Sequence, residues 1–133
     1  MITLLDTHVV IWLATADPKL GKRTRGLIDA AVAQRALAFS AISLWEVAML
    51  LERGRLQASL PVEALRNRLL QTGMTELPLT GDIALLSAQL ALHGDPADRF
   101  IAASAVSHGA LLVTADERLL GWKHALKRQD ARR

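Results

Sequence analysis

The sequence predicts an α/β domain in which helices cover both faces of a short parallel sheet of four or five strands. Short apolar runs alternate with longer segments whose apolar residues recur at helical spacing, which is typical of β-α-β units. The chain has 133 residues, a length that suits one domain. It is 51% hydrophobic but holds only three Trp, two Phe and no Tyr, so Leu, Ala, Val and Ile must fill the core.

Five elements are predicted before Gly54, and this glycine ends the last of them, a helix. Asp17 and Pro18 are the residue types of a helix N-cap and first turn, so we expect a helix to begin there. Either Ser40 or Ser43 is expected to open the helix before Gly54. In chain order, the elements are a strand at residues 2–5, a helix at 7–13, a helix over about 24–35, a strand at 36–39 and the helix that Gly54 ends.

The second half of the chain continues the alternation. Pro61 begins a helix that Gly73 ends, and Gly109 ends a later one that opens at Asp95 and Pro96. The remaining predicted elements are a strand at 74–77, a helix at 80–92, a strand at 110–113 and a short helix from about 117. Residues 123–133 suit a helix, an edge strand or a loose arm. We therefore predict a single domain over residues 1–122 and a basic tail over 123–133.

Charge is distributed unevenly along the chain. Residues 1–122 carry a balance of −1 and residues 123–133 a balance of +4, which together give the net charge of +3. A basic tail often contacts nucleic acid or an acidic partner, although a solvated terminus has the same composition.

Several classes of protein are excluded by composition. The chain has no cysteine, so disulfides, thiolate chemistry and Cys-based zinc sites are absent. The longest apolar run covers residues 9–14, far short of the ~20 residues of a membrane span. The N-terminus has no basic lead and reaches Asp6 at once, unlike a signal peptide. We expect a soluble cytoplasmic protein with no membrane partner.

Four acidic residues mark junctions between predicted strands and helices or lie on apolar helix faces. A carboxylate near a core is costly unless a partner neutralises it. Ligands of open α/β sheets bind beyond the carboxyl ends of parallel strands, so these distant segments predict one acidic pocket that needs a cation. Hard oxygen ligands favour Mg²⁺ or Mn²⁺. The four residues are Asp6, Glu46, Asp98 and Asp116.

Each acid taken alone also has a structural explanation. Asp6 and Asp116 suit helix caps, and Glu46 suits a buried ion pair with an arginine. Asp98 occupies the third position of its helix, where an acid favours the helix dipole, and the preceding Asp95 is well explained as the N-cap. The joint placement of the four acids is what favours a metal site.

Few other chemistries have support. The four histidines are scattered. His93 lies close to the acidic segment and suits a role assisting the acids, but a surface position is expected. The chain has no P-loop lysine motif and no GxGxxG. A phosphate-accepting receiver domain would need paired acids after the first strand, where Asp6 stands alone. Thr114 is placed to hydrogen-bond a ligand carboxylate and hold its angle.

Four segments together resemble the PIN domain, and more narrowly the VapC-type toxins of bacterial toxin–antitoxin pairs. They are LLDTHVVIW, SAISLWEVAML, DPADRFIAASA and LLVTADERL, which span residues 2 to about 120. The resemblance implies a three-layer α/β/α fold and a ribonuclease that cuts RNA with Mg²⁺ or Mn²⁺. The implied acidic quartet is Asp6, Glu46, Asp98 and Asp116, with Thr7, Asp95, Arg99 and Thr114 as supporting residues.

The resemblance also implies partners. It predicts a homodimer that a small antitoxin protein inhibits, in a heterotetramer or a larger complex. Arg99 matches the DPxDR pattern of the family, and its position suits a salt bridge or a phosphate contact. The alternative function is a binding module that has lost catalysis and acts through a partner protein. The basic, weakly patterned tail departs from the family, in which a final strand is common.

Overall fold

Five parallel strands form one sheet at the centre of the molecule. The computed structural model describes residues 1–56 and 61–133. The strands are β1 (Thr3–Leu5), β2 (Leu37–Ser40), β3 (Thr75–Leu77), β4 (Leu111–Thr114) and β5 (Arg128–Asp130). The helices are α1 (Thr7–Ala14), α2 (Lys22–Ala33), α3 (Ala41–Glu52), α4 (Val62–Gln71), α5 (Gly81–Gln89), α6 (Pro96–His108) and α7 (Glu117–Leu120).

The strand order is β3-β2-β1-β4-β5, and every neighbouring pair is parallel. Adjacent residues of each central strand point to opposite faces of the sheet. Leu5, Phe39 and Val113 lie in the core on one face, packed with residues of α1, α2 and α4. Leu4 and Leu112 lie in the core on the other face, with α6 and α7. The predicted three-layer α/β/α fold is confirmed.

Polar side chains begin most of the helices at the predicted places. Ser40 caps α3, since its hydroxyl accepts a hydrogen bond from the backbone N–H of Ile42. Gly109 ends α6 in the left-handed region at φ 58°, a conformation that favours glycine. These caps fix where each helix leaves the sheet, and therefore where the acids at those junctions lie.

The helix start predicted at Asp17 and Pro18 is wrong. Asp17 and Pro18 form a turn, in which the Asp17 carboxylate accepts a hydrogen bond from the backbone N–H of Lys19. Leu20 then packs into the core, and Gly21 is the N-cap of α2. An aspartate two residues before a free N–H stabilises a turn as readily as a helix cap, which explains the error.

The last eleven residues contain an edge strand, one of the three structures that the sequence left open. β5 pairs with β4, and Ala131 is fully buried in the core. The backbone N–H of Gly21 donates to the Ala131 carbonyl, and the Thr24 hydroxyl donates to the Arg133 carbonyl at 2.8 Å. The segment is thereby attached to the start of α2. No helix within the described ranges is long and apolar enough to cross a membrane.

Candidate metal centre

The candidate site lies where the order of the sheet reverses. β1 and β4 are neighbours, and the chain builds the sheet outward from β1 in one direction and from β4 in the other. In open parallel sheets, ligands bind beyond the carboxyl ends of strands at this point. Asp6 follows β1 directly, and Asp116 lies two residues beyond β4. The fold therefore brings the first and last of the predicted acids to one edge.

Asp6 is held by hydrogen bonds from two threonines. Its Oδ1 accepts from the backbone N–H of Thr7 at 2.8 Å, which caps α1. Its Oδ2 accepts from the Thr114 hydroxyl at 2.7 Å and lies 3.7 Å from Nδ1 of His8. The hydrogen bond from Thr114 to a neighbouring carboxylate is the contact predicted from the sequence. Asp6 is only 3% exposed, so its angle is fixed inside the protein.

Glu46 faces the same space from α3. Its Oε1 accepts a hydrogen bond from the Thr7 hydroxyl, which also shares a hydrogen bond of 2.8 Å with the buried Ser43 hydroxyl. The pKa of Glu46 is raised to about 7, mainly by burial, although the hydrogen bond from Thr7 lowers it. The charges of Asp6, Asp98 and Asp95 add to the increase. The ion pair with an arginine that offered an alternative explanation of Glu46 does not occur within residues 1–56 and 61–133.

Asp98 lies in the first turn of α6 and points toward the other acids. Its Oδ2 lies 2.7 Å from Nε2 of His93. Burial raises the pKa of Asp98, the His93 hydrogen bond opposes this, and the charges of Asp6 and Asp116 add to the increase. Nδ1 of His93 is buried and lacks a hydrogen-bond partner in the part of the chain that the structure describes. His93 is therefore a site residue, and its predicted surface position is wrong.

Asp116 caps a helix and also lies against an arginine. Its Oδ1 accepts from the backbone N–H groups of Arg118 and Leu119, which caps α7. Its Oδ2 lies 3.3 Å from Nη2 of Arg118. Burial alone would raise the pKa of Asp116, but the hydrogen bonds from Arg118 and Leu119 outweigh it and leave that pKa below its ordinary value.

Two of the acids form a candidate ligand group with His93, and Asp6 and Glu46 interact with this group through their charges. His93, Asp98 and Asp116 each offer a ligand atom, and these three atoms lie within 4.8 Å of one another. Mutual repulsion couples Glu46 with Asp6 and Asp98. Carboxylates so close together favour a bound cation, which would lower the pKa values that burial and repulsion now raise. The donor set fits Mg²⁺ or Mn²⁺.

Two of the supporting residues have structural roles. Asp95 is the N-cap of α6 and accepts from the backbone N–H of Ala97 at 3.0 Å, as predicted. Arg99 does not form the expected salt bridge within the residues that the structure describes. Its guanidinium donates to the carbonyls of Leu90 at 2.8 Å and Leu92 at 2.6 Å, so it holds the turn between α5 and α6. A sequence does not show which arginines bind backbone carbonyls.

Three site residues were not identified from the sequence. Ser43 is buried behind Thr7, His93 contacts Asp98, and Arg118 lies against Asp98 and Asp116. The only sequence signal for His93 and Arg118 was closeness along the chain to a predicted acid or helix cap. His93 lies two residues before the helix cap Asp95, and Arg118 lies two residues after Asp116. Only the folded arrangement distinguishes such neighbours from ordinary surface residues.

Comparison with known proteins agrees with this fold. The PIN domain family matches residues 3–122. Ribonuclease VapC22 of Mycobacterium tuberculosis is 37% identical over 125 residues, which cover 91% of this chain and 92% of the relative. The chain therefore belongs to the PIN domain family, and within it to the VapC type.

Solved structures of the same fold include two complexes. One is VapBC2 from Rickettsia felis bound to a DNA fragment from their promoter, with a TM-score of 0.70 and 17% identity, covering 97% of this chain and 98% of that one. Another is DNA-bound VapBC from Salmonella typhimurium, with a TM-score of 0.70 and 20% identity, covering 98% of each chain. At these identities the likeness concerns the fold alone.

Proposed function

We propose that this protein is a metal-dependent endoribonuclease that acts as the toxin of a toxin–antitoxin pair. The observation that carries the proposal is the convergence of four carboxylates from distant segments at the switch point of the sheet. The similarity to a VapC ribonuclease, at 37% identity over nearly the whole chain, supports RNA as the substrate. The proposed action of the protein is in the cytoplasm.

In this proposal Asp6, Glu46 and Asp98 hold Mg²⁺, and Mn²⁺ is able to replace it. Asp116 completes the site. The bound ion would lower the pKa of an attacking water and offset the charge that develops on the phosphodiester. The surrounding residues position the ligands: Thr114 fixes the angle of Asp6, and Thr7 fixes Glu46. His93 holds one oxygen of Asp98, which leaves the other oxygen of that carboxylate available.

The proposal includes protein partners. We propose a homodimer that a cognate antitoxin inhibits, in a heterotetramer or larger complex, as the VapBC complexes among the similar structures suggest. Two large, exposed apolar side chains on surface helices support an interface. Trp45 on α3 is 56% exposed and Leu85 on α5 is 67% exposed, whereas Trp12 packs against the core.

Cleavage of a mixed RNA pool tests the proposed activity. We expect purified protein, free of antitoxin, to cut RNA with Mg²⁺ or Mn²⁺ but not with EDTA. Asp6→Asn and Asp98→Asn should keep the fold and lose cleavage. Asp82→Asn is the matched control, because Asp82 is an exposed acid in the first turn of α5.

The results separate the candidate functions. Cleavage by Asp6→Asn at the parent rate across a metal titration would contradict the assigned site. Failure of the parent to cut RNA under any metal, combined with no binding of Mn²⁺ by calorimetry, would favour the binding module that has lost catalysis.

A further inference from the structure

We infer that Arg118 is an RNA-binding residue of this site, which covers the acids in the free protein and contacts a substrate phosphate once a metal is bound. The inference rests on the proposed function and adds a residue that the acidic quartet does not include. It concerns a cationic side chain at the mouth of the acidic pocket.

The position of Arg118 is the first observation. Its Nη2 lies 3.4 Å from Oδ2 of Asp98 and 3.3 Å from Oδ2 of Asp116. His8 and His93 also contact the acids, but a guanidinium is charged at every physiological pH and a histidine is not. Arg118 therefore places a permanent positive charge against two of the carboxylates that would hold the metal.

The freedom of the side chain is the second observation. The backbone N–H of Arg118 is fixed, since it donates to Oδ1 of Asp116 at 2.8 Å. The side chain beyond it is 58% exposed. A divalent cation on Asp98 and Asp116 would repel the guanidinium, and the exposed side chain has room to turn away while its backbone stays in place. Metal and guanidinium therefore compete for the same two carboxylates.

The charge of the pocket gives the displaced arginine a function. RNA must bring a negative phosphate toward a cluster of four carboxylates. A guanidinium at the rim offers a planar pair of donors that matches a phosphate, and it offsets the repulsion from the acids. Arg118 is anchored beside Asp116, so after displacement it still lies within one side-chain length of the cluster.

A purely structural role explains the arrangement less well. Exposed ion pairs contribute little to stability, and Asp116 already caps α7 through two backbone N–H groups. The start of α7 therefore does not depend on the Arg118 side chain. This difference makes the two explanations separable by experiment.

The test compares Arg118→Gln and Arg118→Lys with the parent protein. Arg66→Gln is the matched control, because Arg66 forms an exposed ion pair with Glu76 at 2.7 Å and contacts none of the four acids. Each protein is titrated with Mn²⁺ by calorimetry, melted without metal, and assayed for kcat and KM on one RNA that the parent cuts.

We expect Arg118→Gln to change metal binding and RNA cleavage in opposite directions. Mn²⁺ should bind about two- to fivefold more tightly, because a competing charge is gone. kcat/KM should fall by roughly 10- to 100-fold, mostly through KM, because one charge-assisted phosphate contact is lost. Arg118→Lys keeps the charge and should lie between the parent and Arg118→Gln. Arg66→Gln should match the parent in both measurements.

Two results would overturn the inference. One is an Arg118→Gln variant with the Mn²⁺ affinity and kcat/KM of the parent. The other is a joint fall of melting temperature, Mn²⁺ affinity and cleavage, which would make Arg118 a structural clamp. A parent protein that neither cuts RNA nor binds Mn²⁺ would instead refute the proposed function, so the two failures are distinguishable.

Discussion

At the scale of single residues, Thr114 connects the two acids that flank the switch point. Its hydroxyl donates to Oδ2 of Asp6 at 2.7 Å and accepts from the backbone N–H of Asp116 at 3.0 Å. It is fully buried, so water does not replace either partner. One hydroxyl therefore sets the orientation of Asp6 and the turn that presents Asp116.

Replacing this hydroxyl by a methyl group should weaken the site. We expect Thr114→Val to lower the free energy of unfolding by about 1–3 kcal/mol, since buried polar partners are left unsatisfied. Mn²⁺ affinity should fall by about tenfold or more, because Asp6 loses the group that holds its angle. Calorimetric titration and urea unfolding measure the two effects.

Thr24→Val is the control for this substitution. Thr24 is equally buried, and its hydroxyl donates to the Arg133 carbonyl instead of a carboxylate. It should lose stability and keep the Mn²⁺ affinity of the parent. Equal Mn²⁺ affinities in the two variants would show that Thr114 does not position Asp6.

At the scale of elements, the C-terminal segment is part of the sheet and packs closely on the start of α2. A Cβ atom added at Gly21 would lie 2.1–2.5 Å from backbone atoms of Arg133. Gly21 has φ −73°, a conformation open to any residue, so the constraint is one of space alone. The absence of a side chain at this position is what lets the segment approach α2.

Two glycine substitutions in and beside α2 should therefore have opposite effects. We expect Gly21→Ala to lower the free energy of unfolding by about 1–3 kcal/mol, because the last residues must shift. Gly26→Ala should raise it by about 0.5–1 kcal/mol, since Gly26 lies inside α2 with nothing within 4 Å of the added Cβ. Urea unfolding compares both, and similar midpoints for the two variants would contradict the close packing at Gly21.

The elements that the sequence predicted best were those with apolar patterns. β1, β2 and β4 are buried, and their apolar runs were sufficient to locate them. β5 has the sequence RQD and is only half-buried, because an edge strand is defined by its pairing with a neighbour. The start of α2 was misplaced for a related reason, since the same aspartate stabilises a turn or a helix.

At the scale of the whole molecule, the acidic cluster opposes folding when no cation is bound. The ordinary pKa of Glu46 is 4.5, and burial in the folded protein raises it to about 7. Between these values the folded state holds a proton that the unfolded chain has released. By linkage, the stability from this group is full below pH 4.5 and is lost as the pH rises through about 7.

We expect this loss to appear in the metal-free protein. In EDTA, the free energy of unfolding of the parent should decline between about pH 4.5 and 7 more steeply than that of Glu46→Gln, which has no proton to release. The raised pKa of Asp98 acts in the same direction and remains in the variant. Urea unfolding across this range measures both slopes, and superimposable slopes would contradict the raised pKa of Glu46.

Excess Mn²⁺ provides the second arm of the pH experiment. A bound cation favours the ionised carboxylates, so it should reduce the decline in the parent and raise the melting temperature. The melting temperature of Asp98→Asn, which lacks one proposed ligand, should rise less when Mn²⁺ is added.

The convergence of the acids was predictable, and so was the contact from Thr114, while the partners His93 and Arg118 were not. Parallel strands end at one edge of a sheet, so acids that follow β1 and β4 must meet whatever the details of packing. Glu46 could be predicted from its position on a helix face alone, because its neighbours along α3 are apolar. His93 and Arg118 depend on the path of the turn before α6 and on the first turn of α7, which short-range patterns do not specify.

The hydrogen bond between Asp6 and Thr114 joins residues 108 positions apart. During synthesis, Asp6 leaves the ribosome long before Thr114 and Asp116 have been added to the chain. An emerging chain therefore has no assembled acid cluster until Asp116 has been made. For a nuclease that attacks RNA, this order of synthesis would protect the ribosome and the message that are producing it, because activity begins only after the segments from Asp6 to Asp116 have all been made.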